Sequence, residues 1–159
     1  MAKRLFAFMV GFVLLGGFAV AEAGGRKGDG ELVLRVDTDG FTTFDQTDDG
    51  FAGGAAFYVS GDICEELDLL DDCTAIGTFH CWGWAIGPDQ AATVVSQEYH
   101  LFGRGKIQVQ GVEDEGPRAV TGGTGEFRNV RGEATGFDLS TFLTNGDFIA
   151  TFKLIGAEK

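Results

Sequence analysis

The sequence predicts an all-β fold, an antiparallel sandwich or barrel, on three observations. Short apolar and β-branched runs recur along the chain, turn-forming clusters separate them, and helical periodicity is nearly absent. The 26 glycines among 159 residues point the same way, because each glycine in a helix interior costs about 1 kcal/mol relative to alanine.

The chain opens with Lys3 and Arg4, an apolar run over residues 5–20, and small residues at Ala19, Ala21 and Ala23. This is the pattern of a secretory signal peptide, with cleavage after Ala21 or Ala23. The run is short for a bilayer span, which needs about 20 apolar residues, and no cysteine stands at the cleavage position to suggest a lipoprotein. The expectation is therefore a secreted or periplasmic protein with no stable membrane insertion once residues 1–23 are removed. Removal takes away Lys3, Arg4 and Glu22, so the formal charge moves from −12 to −13. Residues 24–159 suit a single domain with one core, since no Pro-rich linker or composition break divides them. Their acidity opposes binding to nucleic acid or anionic membrane, where Lys and Arg clusters must offset phosphate repulsion.

The first strand is expected at residues 31–38, ELVLRVDT, ending in an Asp/Gly/Thr cluster. Further strands are expected at residues 55–60, 77–86, 93–102, 106–111, 132–140 and 147–155, divided by turn formers such as Gly87-Pro88-Asp89 and Asn145-Gly146-Asp147. Only residues 64–72 could turn helically. Cys64 and Cys73 flank the acidic segment EELDLLDD, and a disulfide between them would restrain a loop loaded with like charges. Spacing leaves Cys73 with Cys81 as the rival pair, but Cys81 lies inside a strand-like run and is favoured as the free thiol.

The segment at residues 119–136, AVTGGTGEFRNVRGEATG, combines a double-glycine turn with strand-like residues. Gly122, Gly123 and Gly125 permit positive φ and close packing, and Phe127 and Val130 can anchor the strand that follows. It is not a phosphate loop. Glu126 and Phe127 stand where a Walker loop needs Lys and Ser or Thr, and Arg128 replaces the third glycine of a dinucleotide fingerprint. Metal and hydrolase signatures are also missing: His80 and His100 are the only histidines, no HExxH, G-x-S-x-G or paired CxxC occurs, and the Asp-rich residues 37–50 depart from EF-hand spacing. No cofactor and no metal are expected.

Taken with FGRGKIQVQG at residues 102–111, the glycine segment resembles the late hairpins of the allene oxide cyclase and dirigent proteins, small β-barrels that hold an apolar small molecule. The likeness is firm over residues 77–156 and loose for the N-terminal third. It implies a closed antiparallel barrel of about eight strands, whose interior either packs with side chains or admits one small ligand. It also implies self-association, as a homotrimer or homodimer.

The resemblance places candidate pocket residues at Arg35, Asp37, Cys81 and Tyr99. The cyclase branch carries a Glu-x-Asn pair on its first strand, where this chain has Arg35-Val36-Asp37, without the glutamate. On that alignment Arg35 and Asp37 both point inward, as an ion pair at the barrel mouth or as ligand contacts. Cys81 falls where the cyclases have a cavity cysteine. Alternation groups it with Phe79 and Gly83, and puts His80, Trp82 and Trp84 on the other face, the tryptophans covering a subunit contact or lying under a loop. Tyr99 shares a face with Val95, Gln97 and Leu101, opposite Ser96, Glu98 and His100. Arg131 matches an arginine of the dirigent signature and is given a structural role, bonding carbonyls or the acidic turn Glu113-Asp114-Glu115. No residue is assigned a catalytic role. The expected function is to hold a hydrophobic small molecule, with a cyclase/isomerase-like or stereo-directing activity exerted by conformational restraint. The alternatives are a non-catalytic carrier or binding module and a structural barrel with a filled core.

Overall fold

The computed structural model describes residues 30–44, 54–65, 67, 69, 72–86, 92–113, 116–136, 142 and 146–156. The expected signal peptide, the Gly87-Pro88-Asp89 turn, Asp114, Glu115 and residues 137–140 of an expected strand lie outside them. Eight strands run in chain order: β1 (Glu31–Phe44), β2 (Ala56–Cys64), β3 (Ala75–Ile86), β4 (Ala92–Leu101), β5 (Gly105–Val112), β6 (Arg118–Gly123), β7 (Arg131–Thr135) and β8 (Asp147–Ile155), with a 3-10 turn at Gly125–Phe127 before β7. Each strand pairs antiparallel with the next and β8 returns to β1, closing the barrel. No sheet edge is left open. We call upper the end at which β1, β3 and β5 finish.

Strict alternation sends one set of side chains to the axis. Leu32, Leu34, Val36, Phe79, Tyr99, Leu101, Ile107, Val109, Phe148, Ala150 and Phe152 share a single buried core. The middle of the barrel is solid. The ring centroids of Phe79 and Tyr99 are 4.9 Å apart, those of Phe79 and Phe148 5.2 Å, and those of Tyr99 and Phe152 4.9 Å, all within the range of favourable tilted and edge contacts.

Several elements depart from the sequence-based expectation: β2 runs on to Cys64 instead of ending at residue 60, and β7 ends at Thr135, before Gly136. β1 continues to Phe44 instead of stopping at residue 38, because its register with β2 slips between Thr38 and Gly40. Asp39 is the extra residue of a bulge, which absorbs the turn formers without ending the strand. The slip also turns Phe41 toward the upper rim, where its ring stacks on Phe57 at 5.9 Å. Gly122 and Gly123, expected in a double-glycine turn, instead end strand β6 over residues 118–123. Of the three motif glycines only Gly125 has positive φ, at 60°. Gly123 is required by close approach instead, since a Cβ there would lie 2.4 Å from the Lys106 carbonyl oxygen; Gly122 is held to glycine by neither.

The disulfide joins Cys64 to Cys73 with Cα atoms 5.0 Å apart, and Cys81 is free and buried. The bridge ties the end of β2 to the chain just before β3. Closing a loop of this length restricts the unfolded chain, so the double substitution Cys64→Ser, Cys73→Ser should lower stability by about 2–3 kcal/mol. Urea unfolding without reductant measures this directly.

Candidate functional site

Buried polar residues need partners, and among the described residues two groups of them occur, one on the axis side and one on the outward side of the wall. The first lies on the axis side at the upper end. Cys81 (β3) and Gln97 (β4) are direct cross-strand neighbours, and both face inward, as do Tyr99 on β4 and Arg118 at the start of β6. Glu113 follows β5 immediately, and its backbone N–H donates to the Thr93 carbonyl at 2.7 Å. The β5–β6 hairpin therefore delivers an acid and a base to one spot.

The Arg118 guanidinium donates to Glu113 Oε1 at 2.9 Å, with side chains 3% and 11% exposed. Gln97 Nε2 donates to the same oxygen at 3.2 Å, and Tyr99 Oη donates to Gln97 Oε1 at 3.2 Å. The chain Arg118–Glu113–Gln97–Tyr99 is thus continuous, running from an ion pair near the mouth to a phenol among the core aromatics. Gly111 makes the room for it. A Cβ at that position would come within 3.2 Å of Arg118 Cγ, so a larger residue would press on the side chain that carries the charge.

Burial sets the protonation of these groups. It raises the Glu113 carboxyl above its ordinary range, an effect that Arg118 and the Gln97 amide oppose. Burial, reinforced by the Glu113 charge, pushes the Cys81 thiol up to about 12. Tyr99 is likewise raised by burial. Cys81 is therefore a neutral thiol at physiological pH and not a nucleophile. Native protein should resist alkylation by iodoacetamide at pH 8 without reductant, whereas denatured protein should take up one label per chain, counted by mass spectrometry.

The second polar group is Arg35, Asp37 and Asp147, and it corrects an expectation. Leu32, Leu34 and Val36 occupy the axis side of β1, so Arg35 and Asp37 stand on its outward face. Arg35 is nonetheless buried, and its Nη2 donates to Asp147 Oδ2 at 3.0 Å. Its ion-pair partner is Asp147, and Asp37 sits across from Asp147 in the β1–β8 register. Burial, then hydrogen bonding to Asp147 and its negative charge, raise the Asp37 carboxyl, against the pull of Arg35. The four sequence candidates thus fall into two separate places: Cys81 and Tyr99 inside, Arg35 and Asp37 outside. Arg131 is also outside the interior group, exposed and donating to the Val130 carbonyl at 2.7 Å.

Glu113, Gln97 and Arg118 were not singled out from the sequence. Alternation with Tyr99 marked the inward face of Gln97. The Glu113–Arg118 pair had no local signal, because the two residues meet only when the β5–β6 hairpin closes.

The chain is thus an eight-stranded closed antiparallel barrel with a charged, buried network at one end of its aromatic core. No family profile matches the chain, and no curated protein matches it in sequence. Solved structures do. A pyocyanin demethylase superposes with a TM-score of 0.63 at 22% identity, covering 79% of this chain and 99% of that one. Two pterocarpan synthase dirigent proteins follow, with TM-scores of 0.57 and 0.56 at 15% and 14% identity, covering 78% of this chain and 81% and 91% of theirs. At these identities the likeness shows a shared fold.

Proposed function

We propose that the upper end of this barrel binds a small, largely apolar organic molecule, whose frame lies against Phe57, Val95 and Cys81 while one polar group meets the Glu113–Arg118 pair. The observation that carries this reading is the buried ion pair itself. Desolvating a carboxylate and a guanidinium costs several kcal/mol, and an apolar pair of similar volume often serves stability as well or better. A charged pair at the mouth of an otherwise apolar interior fits recognition better than it fits packing. Arg118 and Gln97 both engage Oε1, so Oε2 is the oxygen that a hydrogen-bond donor on the guest would meet. The fold neighbours support the same class, since one is named for acting on pyocyanin and two for making pterocarpans.

The activity that suits this site is restraint of a bound molecule, isomerase-like or stereo-directing, with Glu113 as the group able to exchange a proton. Native mass spectrometry of protein purified from its source tests the binding. The wild-type chain should carry a small-molecule adduct, and the double variant Glu113→Gln, Arg118→Met should fold and lose it. An adduct consumed over time separates catalysis from carriage. A wild-type chain with no adduct, and no mass shift against a panel of apolar compounds, would leave the second reading, a structural barrel with a filled core. That reading is favoured by the packing of Phe79, Tyr99, Phe148 and Phe152.

Export and self-association belong to the same proposal. The disulfide suits an oxidising compartment. Trp82, Trp84, Ile86 and Val94 are exposed on the outward side of β3 and β4, and such a patch suits a contact between copies of the chain. Sedimentation velocity should show an oligomer that Trp82→Lys, Trp84→Lys dissociates.

A further inference from the structure

One carboxylate oxygen of Asp37 and the sulfur atoms of Cys64 and Cys73 lie within 4.8 Å of one another on the outward side of the barrel. Two of the three donors are on strands. Asp37 is fixed in β1 between β2 and β8, and Cys64 ends β2. Cys73 precedes Thr74, whose carbonyl accepts from the Glu65 backbone N–H at 2.9 Å. That bond joins the residues that follow the two cysteines, and so links the chain on either side of the bridge without using the S–S bond.

The surroundings are rich in carboxylates. Asp37 is opposite Asp62 on β2 and opposite Asp147 on β8. Arg35 is bonded to one of them, Asp147, at 3.0 Å. As a disulfide, Cys64 and Cys73 offer no thiolate. As thiolates, two sulfurs and one carboxylate oxygen make a donor set suited to a borderline-soft divalent cation, with zinc as the type.

We propose that reduction of the Cys64–Cys73 bridge converts this spot into a zinc-class metal site, with both thiolates and Asp37 as ligands and the fourth position taken by water or by Asp62 or Asp147. Opening the bridge requires a two-electron reductant, of which a dithiol is the biological type. The dithiol supplies two electrons and two protons and leaves as its own disulfide, and the cation then displaces the two thiol protons. In the reverse direction a disulfide oxidant takes two electrons from the bound thiolates and leaves as two thiolates. The Cys64–Cys73 bond re-forms and the cation is released with its charge unchanged. Redox state thereby selects between a covalent staple and a metal staple at one position in the wall. The site is independent of the interior guest, because Cys81 faces the axis within the core. No zinc motif shows in the sequence, since Asp37 comes from a different strand than either cysteine.

The test uses the full chain reduced by a phosphine under anaerobic conditions and titrated with cobalt(II). One cobalt per chain should bind with thiolate-to-metal charge-transfer absorption, and zinc should displace it. Cys81→Ala should bind as wild type, Cys73→Ser should lose the band, and Asp37→Asn should weaken binding by about tenfold or more. Oxidised protein should show no band. The proposal is overturned by a reduced chain with no thiolate band, by a band that survives Cys73→Ser, or by equal affinity in Asp37→Asn. Far-UV circular dichroism is run in parallel, and a reduced chain that loses its sheet signal and does not regain it with zinc also overturns it.

Discussion

Arg118→Met should destabilise the barrel by about 3–5 kcal/mol at pH 7, seen as a lower urea midpoint. The guanidinium is 3% exposed and bonds a Glu113 side chain that is only 11% exposed, so its removal strands a carboxylate inside the barrel. The size of the loss comes from that uncompensated charge more than from the lost hydrogen bond. It carries a pH signature. Burial already holds the Glu113 carboxyl above its ordinary value of 4.5, and Arg118 opposes the rise. Without Arg118 the folded-state value climbs further. A carboxyl whose folded pKa exceeds its unfolded value binds its proton more tightly in the native state, so stability increases as pH falls through the folded value toward 4.5. The variant should therefore recover much of its loss on acidification, with a steeper pH dependence than wild type. Glu113→Gln in the same background should remove that slope. A variant as stable as wild type at pH 7 would show that the pair is hydrated in solution.

Phe79→Ala should cost about 3–5 kcal/mol. Phe79 is 2% exposed and touches both Tyr99 and Phe148, so truncation removes the contacts that join the β3–β4 side of the core to β8. Urea unfolding monitored by tryptophan fluorescence measures the loss. A void lined by aromatic and aliphatic groups stays dry and takes small apolar guests. Phe79→Ala should thus bind benzene-sized probes that the wild-type middle of the barrel excludes, and added probe should restore part of the lost stability. An unchanged midpoint, with no stabilisation by probe, would mean that the aromatic core is looser than the ring contacts indicate.

Much of the wall was legible because strand alternation is a local property. The inward set Phe79, Cys81 and Gly83, the outward set His80, Trp82 and Trp84, and the division of β4 between Tyr99 and His100 all follow from period two. The Cys64–Cys73 pairing is favoured over Cys73–Cys81 because Cys81 lies inside a strand-like run, and the structure has that bridge. Two readings failed for physical reasons. Glycines in residues 118–123 resemble a turn by composition, yet Gly123 serves a strand that needs close backbone approach to Lys106 and Phe127. Arg35 and Asp37 were correctly put on one face of β1, but the family likeness chose the inward face, whereas Leu32, Leu34 and Val36 claim it through hydrophobic burial.

The sequence by itself determined an all-β chain and the parity of its central strands, since each depends on residues close together in the chain or on a two-residue period, while the structure chose Cys64–Cys73 over the rival Cys73–Cys81 pairing. Only the tertiary structure decided which polar groups meet. Closing the cylinder in register brings Glu113 and Arg118 against Gln97 from another strand, and sets Asp147 of β8 beside Arg35 and Asp37 of β1. Those encounters depend on which strands become neighbours and with what stagger, and long-range pairing of that kind leaves no periodic trace in the order of the residues.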